Sequence, residues 1–147
     1  MNEGESTRVR STAGPDDNIM PIAMLRTAMK QFVAERAWER FHSPKNLAMS
    51  LAIEAAELME HVQWLETSES GAIRNDAERK AAMGEEMADV FCYLLALCNA
   101  LDLDLTTTTL AKMEKNKAKY PAGEYRGRYG ADDPNPPHAD LEANQRA

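Results

Sequence analysis

The stretch from Asn46 to Leu65, NLAMSLAIEAAELMEHVQWL, has the three-and-four spacing of an α-helix and puts acid where such a helix should carry core. At about 100° per residue, Glu54, Glu57, His61 and Trp64 fall inside one stripe about 80° wide, while Glu60 points elsewhere. Leu47, Leu51, Leu58, Met59 and Val62 mark the adjoining apolar surface. The two stripe carboxylates are therefore predicted at the edge of a core, where an uncompensated charge is costly, and they call for a cation.

A second helical pattern supplies matching acid. From Ala77 to Leu101, Met83, Met87, Val90, Phe91, Leu94, Leu95 and Leu97 make a broad apolar face, with Gly84 tolerated inside it. Glu86 and Asp89 lie one turn apart on this helix, and Tyr93 follows one turn later on the same stripe. If the two helices pack antiparallel, Glu54, Glu57, Glu86 and Asp89 converge. Like charges so close raise some of their pKa values unless hard divalent cations neutralise them, and Mg²⁺ is the natural occupant with Mn²⁺ as a substitute. Taken singly, each of these acids reads as a solvated surface carboxylate; the paired spacing argues for a metal site.

The rest of the chain fits an all-α fold with a four-helix core. Residues 1–19 are small, polar and charged, with Gly4, Gly14 and Pro15, and are expected to form a flexible arm. Residues 20–120 form the helical domain. Its first helix is expected from about Pro21 to Phe41, where Met24, Leu25, Ala28, Phe32, Ala34, Ala37 and Phe41 recur at helical spacing. Ser43 is the expected N-cap of the second helix, with Pro44 at its first position. The polar segment Glu66 to Asp76 is expected to be a loop, and the fourth helix is expected to run from Leu103-Asp104-Leu105-Thr106 to about Lys119, ended by Pro121 and Gly123. Residues 121–147, with Gly123, Gly127, Gly130, Pro134, Pro136 and Pro137, read as a tail able to lie on a neighbour.

Composition narrows the function. With 147 residues, 44% hydrophobic and 28% charged, the chain is an ordinary one-domain length, and a net charge of −7 disfavours a nucleic-acid polymer as partner. No segment reads as a membrane span or a signal peptide, and Cys92 and Cys98 lie about 240° apart around one helix, so they cannot bridge within it. The expectation is a soluble cytoplasmic protein with reduced thiols. On the fourth helix Lys112, Asn116 and Lys119 share a face, with Tyr120 at its edge; they suit phosphate oxygens, or are simply a solvated face. Trp38 and Trp64, the only tryptophans, either wall a pocket for a flat base or cap the core. The nine methionines read as gap-filling core, and no phosphate-cradling glycine loop, Cys-x-x-Cys or nucleophile elbow competes.

Glu54-Ala-Ala-Glu57 followed by Glu86-Met-Ala-Asp89 resembles the E-x-x-E…E-x-x-D signature of the MazG-like all-α nucleotide pyrophosphohydrolases, and in particular their dCTP pyrophosphatase-like branch. The similarity runs from about Leu25 to Tyr120 and includes AERAWERFHSPKNL, EAAELMEHVQWL, EEMADVFCYLLAL and KMEKNKAKYP in that order. The resemblance implies a helical core assembled as a dimer or a dimer of dimers, with a lean to the tetramer. It implies Mg²⁺ held by Glu54, Glu57, Glu86 and Asp89, and a nucleoside triphosphate, dCTP or a modified dCTP, cut to monophosphate and pyrophosphate in nucleotide-pool sanitation. On the same grounds Lys112, Asn116 and Tyr120, aided by Lys119, belong to the phosphate side, Trp38 and Trp64 stack on the base, and His42, Lys45, Asn46 and Tyr93 line the pocket. His42 and Asn46 are the candidates for reading the 4-amino edge of cytosine. His61 stands where the pattern usually has an aliphatic residue and is left outside the metal set.

Two other readings compete. A di-iron carboxylate bundle needs Glu-x-x-His pairs among its ligands, and none of Glu54, Glu57, Glu86 and Asp89 has a histidine three residues later; the one such pair, Glu39 and His42, lies outside both acidic stripes. A non-catalytic helical interaction module would pair these acids with lysines of a partner and use its apolar faces for association.

Overall fold

The computed structural model describes residues 15–127; the outer parts of the expected arm and tail lie outside the described residues. Helices α1 (Ile22–Glu35), α2 (Pro44–Glu60), α3 (Thr67–Ser70), α4 (Ala77–Ala100), α5 (Leu105–Lys119) and α6 (Ala122–Tyr125) follow in order, with 3₁₀ turns at Glu39–Phe41 and Gly71–Asn75. The fold is all-α, with no strand among the described residues, and the four long helices are those the periodicity marks out.

Three boundaries depart from the sequence expectation. Helix α1 stops at Glu35, not near Phe41, because Ala37 takes a left-handed φ of 51° and turns the chain into the 3₁₀ segment. Helix α2 begins as expected, with Ser43 Oγ accepting the Asn46 N–H at 3.2 Å ahead of Pro44, but it ends at Glu60, where His61 caps it and a turn carries the chain past Trp64. The segment 66–76 is not a plain loop: Glu66 and Glu69 form a reciprocal capping box that starts α3, and Asp76 Oδ1 then accepts the Arg79 N–H at 3.0 Å to start α4.

Two compact units divide the chain at Leu103, and each stands by itself. In the first, α2 packs most extensively on α4, and α1 packs on α4 beside it. Pro44 at the start of α2 lines the same cavity as Ala96 and Ala100 at the end of α4, so the two helices run antiparallel. The core is small: among the described residues Val33, Leu47, Leu95, Ala96 and Cys98 are the buried hydrophobic ones, three of them from α4. Both cysteines are free, Cys98 buried and Cys92 half-buried. In the second unit no described residue is buried, and Leu110 and Met113 on α5 are 59% and 49% exposed. Among the described residues no single helix is long and apolar enough to cross a membrane.

One polar junction ties α1 to α4. Arg26 Nε donates to Asn99 Oδ1 at 3.1 Å, Arg26 Nη2 reaches the Cys98 carbonyl at 3.4 Å, and Asn99 Nδ2 donates to the Arg26 carbonyl at 2.9 Å. Removing the amide leaves a partly buried guanidinium short of an acceptor, a loss of about 1.5–3 kcal/mol for a hydrogen bond to a charged group. Asn99→Ala is therefore expected to lower the melting temperature by several degrees, and an unchanged thermal melt would show that packing alone holds α1 in place.

Candidate metal centre

The C-terminal half of α2 and the first half of α4 meet at a group of carboxylates. One oxygen each from Glu54, Glu57 and Glu86 lies within 4.8 Å of the others, with Glu54 and Glu86 half-buried and Glu57 exposed. The i, i+3 spacing of Glu54 and Glu57 puts both on the face of α2 that meets α4, and the antiparallel packing brings Glu86 opposite them. Asp89 is one turn further along α4 and is not part of this close trio. Its charge still reaches the group: burial first, then Glu57, Asp89 and Glu86, hold the Glu54 carboxyl above its ordinary value of 4.5.

A trio of hard oxygen donors at this spacing fits a divalent cation. Two ligands on opposite sides of an ion sit about twice the metal–oxygen distance apart, about 4–5 Å for distances of 2.0–2.6 Å. No lysine or arginine makes an ion pair with Glu54, Glu57 or Glu86 among the described residues.

The remaining sequence-predicted site residues fall into three groups. At the N-terminal end of α2, Trp38 is 42% exposed, edge-on to Phe32 at 5.9 Å and near-parallel to the half-buried His42 ring at 6.5 Å. Arg36 completes that cluster, its guanidinium 3.7 Å above the Phe32 ring. Lys45 and Asn46 are exposed in the first turn of α2, and Tyr93 is half-buried on α4. Trp64 lies beyond the other end of α2 and is 88% exposed. The 17 residues of α2 span about 25 Å, so the two indoles of one chain are not brought together. Finally, Lys112, Asn116, Lys119 and Tyr120 sit on the second unit, where Lys119 Nζ lies 5.1 Å from the Tyr120 ring and hydrogen bonding to Tyr120 raises the lysine pKa. Sequence reasoning did not assign Arg36 or the Ala37 bend to the Trp38 cluster. Phe32 was legible only as an apolar helix residue, and nothing in the composition near Ala37 signals a positive φ.

Lining a cavity of about 350 Å³ are residues of α1, the 3₁₀ turn, the start of α2 and the end of α4, among them Met29, Val33, His42 and Ala96. It lies toward the opposite end of α2 from the carboxylates.

An all-α protein with carboxylates converging from two antiparallel helices, in an E-x-x-E…E-x-x-D arrangement, defines a helical carboxylate-cluster class. Within that class the chain belongs to the MazG-like family, whose model matches residues 49–129. It is 39% identical over 103 residues to dCTP pyrophosphatase 1 of Rattus norvegicus, covering 70% of this chain and 61% of that protein. It is 38% identical over 121 residues to dCTP pyrophosphatase 1 of Homo sapiens, covering 81% and 69%. A crystal structure of a pyrophosphatase from Archaeoglobus fulgidus DSM 4304 aligns with a TM-score of 0.62 at 39% identity, over 68% of this chain and 92% of that one.

The raised pKa of Glu54 has a measurable sign. The folded state holds that proton more tightly than the unfolded chain, so this group adds stability as the pH falls from neutral toward 4.5. The metal-free protein is expected to gain melting temperature on mild acidification, and Mg²⁺ or Mn²⁺ to raise the melting temperature at neutral pH and abolish that gain. A melt indifferent to both cations would remove the metal from the site.

Proposed function

We propose that this chain is a divalent-metal-dependent nucleoside triphosphate pyrophosphohydrolase that converts dCTP, or a modified dCTP, and water to the monophosphate and pyrophosphate. The observation that carries this reading is the trio of Glu54, Glu57 and Glu86, supported by the likeness to proteins named dCTP pyrophosphatase 1. The chain spans 61% of the length of the rat relative, so the activity is an inference from the site and the family together.

In this reading Glu54, Glu57, Glu86 and Asp89 hold Mg²⁺, with Mn²⁺ as a substitute. When bound, the cation neutralises phosphate charge and lowers the pKa of water. Glu54, half-buried in the group, is the carboxylate placed to orient the water that attacks the α-phosphorus or to take its proton. Lys112 and Lys119 offset charge on the departing pyrophosphate, and Asn116 and Tyr120 bind phosphate oxygens. Trp38, His42, Lys45, Asn46, Trp64 and Tyr93 bind the nucleoside. Because α2 separates the two tryptophans, a base stacked between them needs Trp64 from a second copy of the chain. Residues 20–120 form the catalytic domain, and the reading includes nucleotide-pool sanitation in the cytoplasm.

Two outcomes follow. Glu57→Gln or Asp89→Asn removes a charged ligand at constant size, so each is expected to abolish pyrophosphate release from dCTP while circular dichroism stays helical. Retained Mg²⁺-dependent turnover in both variants contradicts the ligand assignment. The five-residue core of the first unit and the exposed Leu110 and Met113 of the second favour association, so light scattering at micromolar protein is expected to give a dimer or tetramer. An active monomer would contradict it.

A further inference from the structure

The seam between α1 and the end of α4 carries positive charge with no carboxylate to answer it. Helix α1 has no acidic residue before Glu35, and α4 has none from Val90 to Ala100, in a chain whose net charge is −7. Arg26 and Lys30 lie one turn apart on α1, and neither makes an ion pair among the described residues. Together with Ala23, Thr27 and Asn99 they line a groove of about 250 Å³ that includes no residue of α2 or of the turn before it.

Hydrogen bonding decides which donors this groove can offer. A guanidinium has five N–H donors. Arg26 directs Nε to Asn99 Oδ1 at 3.1 Å and Nη2 to the Cys98 carbonyl at 3.4 Å, which fixes the plane of the group and leaves three N–H bonds without a protein acceptor among the described residues. Asn99 turns Nδ2 back to the Arg26 carbonyl at 2.9 Å and keeps its second amide N–H. Thr27 Oγ1 gives its proton to the Ala23 carbonyl at 2.8 Å and so offers no donor. The exposed Lys30 supplies the second charge. A planar guanidinium held by two hydrogen bonds, with a flexible ammonium one turn away, is a donor set matched to the oxygens of a phosphate group. Arg26 is half-buried and gives up part of its hydration, and like charges one turn apart repel, so an anion lying between the two side chains relieves both costs.

We infer that this groove is a binding site for a small oxyanion of the phosphate class, held by Arg26 and Lys30 with Asn99 beside them, and separate from the carboxylate group. Asn99 lies thirteen residues along α4 from Glu86, about 20 Å, too far for one phosphate group to touch both. Lys112 and Lys119, the cations of the proposed phosphate side, belong to the second unit. An anion in the groove engages the same Arg26 that ties α1 to α4, so its binding strengthens that junction. Free inorganic phosphate and the pyrophosphate released by the proposed reaction carry the same oxygens, and either is a source of such an anion.

Proton–nitrogen correlation spectra of the full-length chain, titrated with sodium phosphate and separately with sodium pyrophosphate at constant ionic strength, read this site without turnover. The amides of Thr27, Lys30 and Asn99 and the Arg26 Nε–H are expected to shift and saturate, with a dissociation constant of about 1 mM or tighter. The constant for phosphate should be the same with and without Mg²⁺. Lys30→Gln is expected to weaken binding about tenfold and to leave the anion-free melting temperature unchanged, while Lys30→Arg, which keeps the charge, stays within about threefold of the wild type. Lys112→Gln should not change the constant. Saturation by pyrophosphate at the lower concentration supports the site with the reaction product as its source, and saturation by phosphate at the same or lower concentration supports it with the free anion. Shifts that grow linearly and match those of sodium chloride, a constant unmoved by Lys30→Gln, or binding that requires Mg²⁺ would each overturn it. Saturable phosphate binding here by a chain that hydrolyses no triphosphate would instead remove the catalytic reading and leave this site standing.

Discussion

Three carboxylates held together by the packing of α2 on α4 are the constraint around which the first unit is arranged. Negative groups at such spacing repel, and burial, with the charges of Glu57, Asp89 and Glu86 added to it, holds the Glu54 carboxyl above its ordinary value. Helices pack to bury Leu47, Leu95 and Ala96, and in doing so they force Glu54, Glu57 and Glu86 into a group that neither helix alone would assemble. Apolar burial thus opposes electrostatic repulsion, and a divalent cation would relieve the conflict. The small core makes that relief matter, because few buried contacts offset the repulsion.

Much of this was legible in the sequence. The spacing of Glu54 with Glu57, and of Glu86 with Asp89, is set by the helical repeat, so one-turn pairs needed only a secure helix assignment. Ser43-Pro44 located the start of α2, and the apolar run around Val90 to Leu97 located α4. What could not be read was set by backbone choices with weak residue signals. Ala37 adopts a positive φ more usual for glycine or asparagine, which shortened α1 and created the bend before Trp38. Helix α2 stops at Glu60 although His61, Gln63 and Trp64 continue its pattern, and Trp64 therefore leaves the stripe on which the repeat had placed it. The Glu66 and Glu69 capping box was visible in principle but lay inside a polar stretch that composition marks as loop. Placing Asp89 outside the close trio required tertiary packing, since both acids of α4 share one stripe.

The two ends of α2 have separate characters. One carries carboxylates and little else that is polar; the other carries rings and amides whose hydrogen bonds are directed by main-chain carbonyls at Trp38 and Phe41. A nucleotide is itself divided in this way, with charge at one end and a flat hydrogen-bonding base at the other, and under the proposed function α2 would set the distance between the two kinds of recognition. The Arg26 and Asn99 junction bears on this division because it fixes α1, and with it the bend that presents Trp38.

Locating the cation is the most direct test of the central claim that packing of α2 on α4 builds a metal site. In proton–nitrogen correlation spectra of the labelled full-length chain, sub-stoichiometric Mn²⁺ should broaden the amides around Glu54, Glu57, Glu86 and Asp89 first. Those of Leu47 and Leu95, nearer the far end of the helix pair, should persist. Uniform broadening, or loss beginning at other acidic residues such as Glu66 and Glu69, would contradict the account.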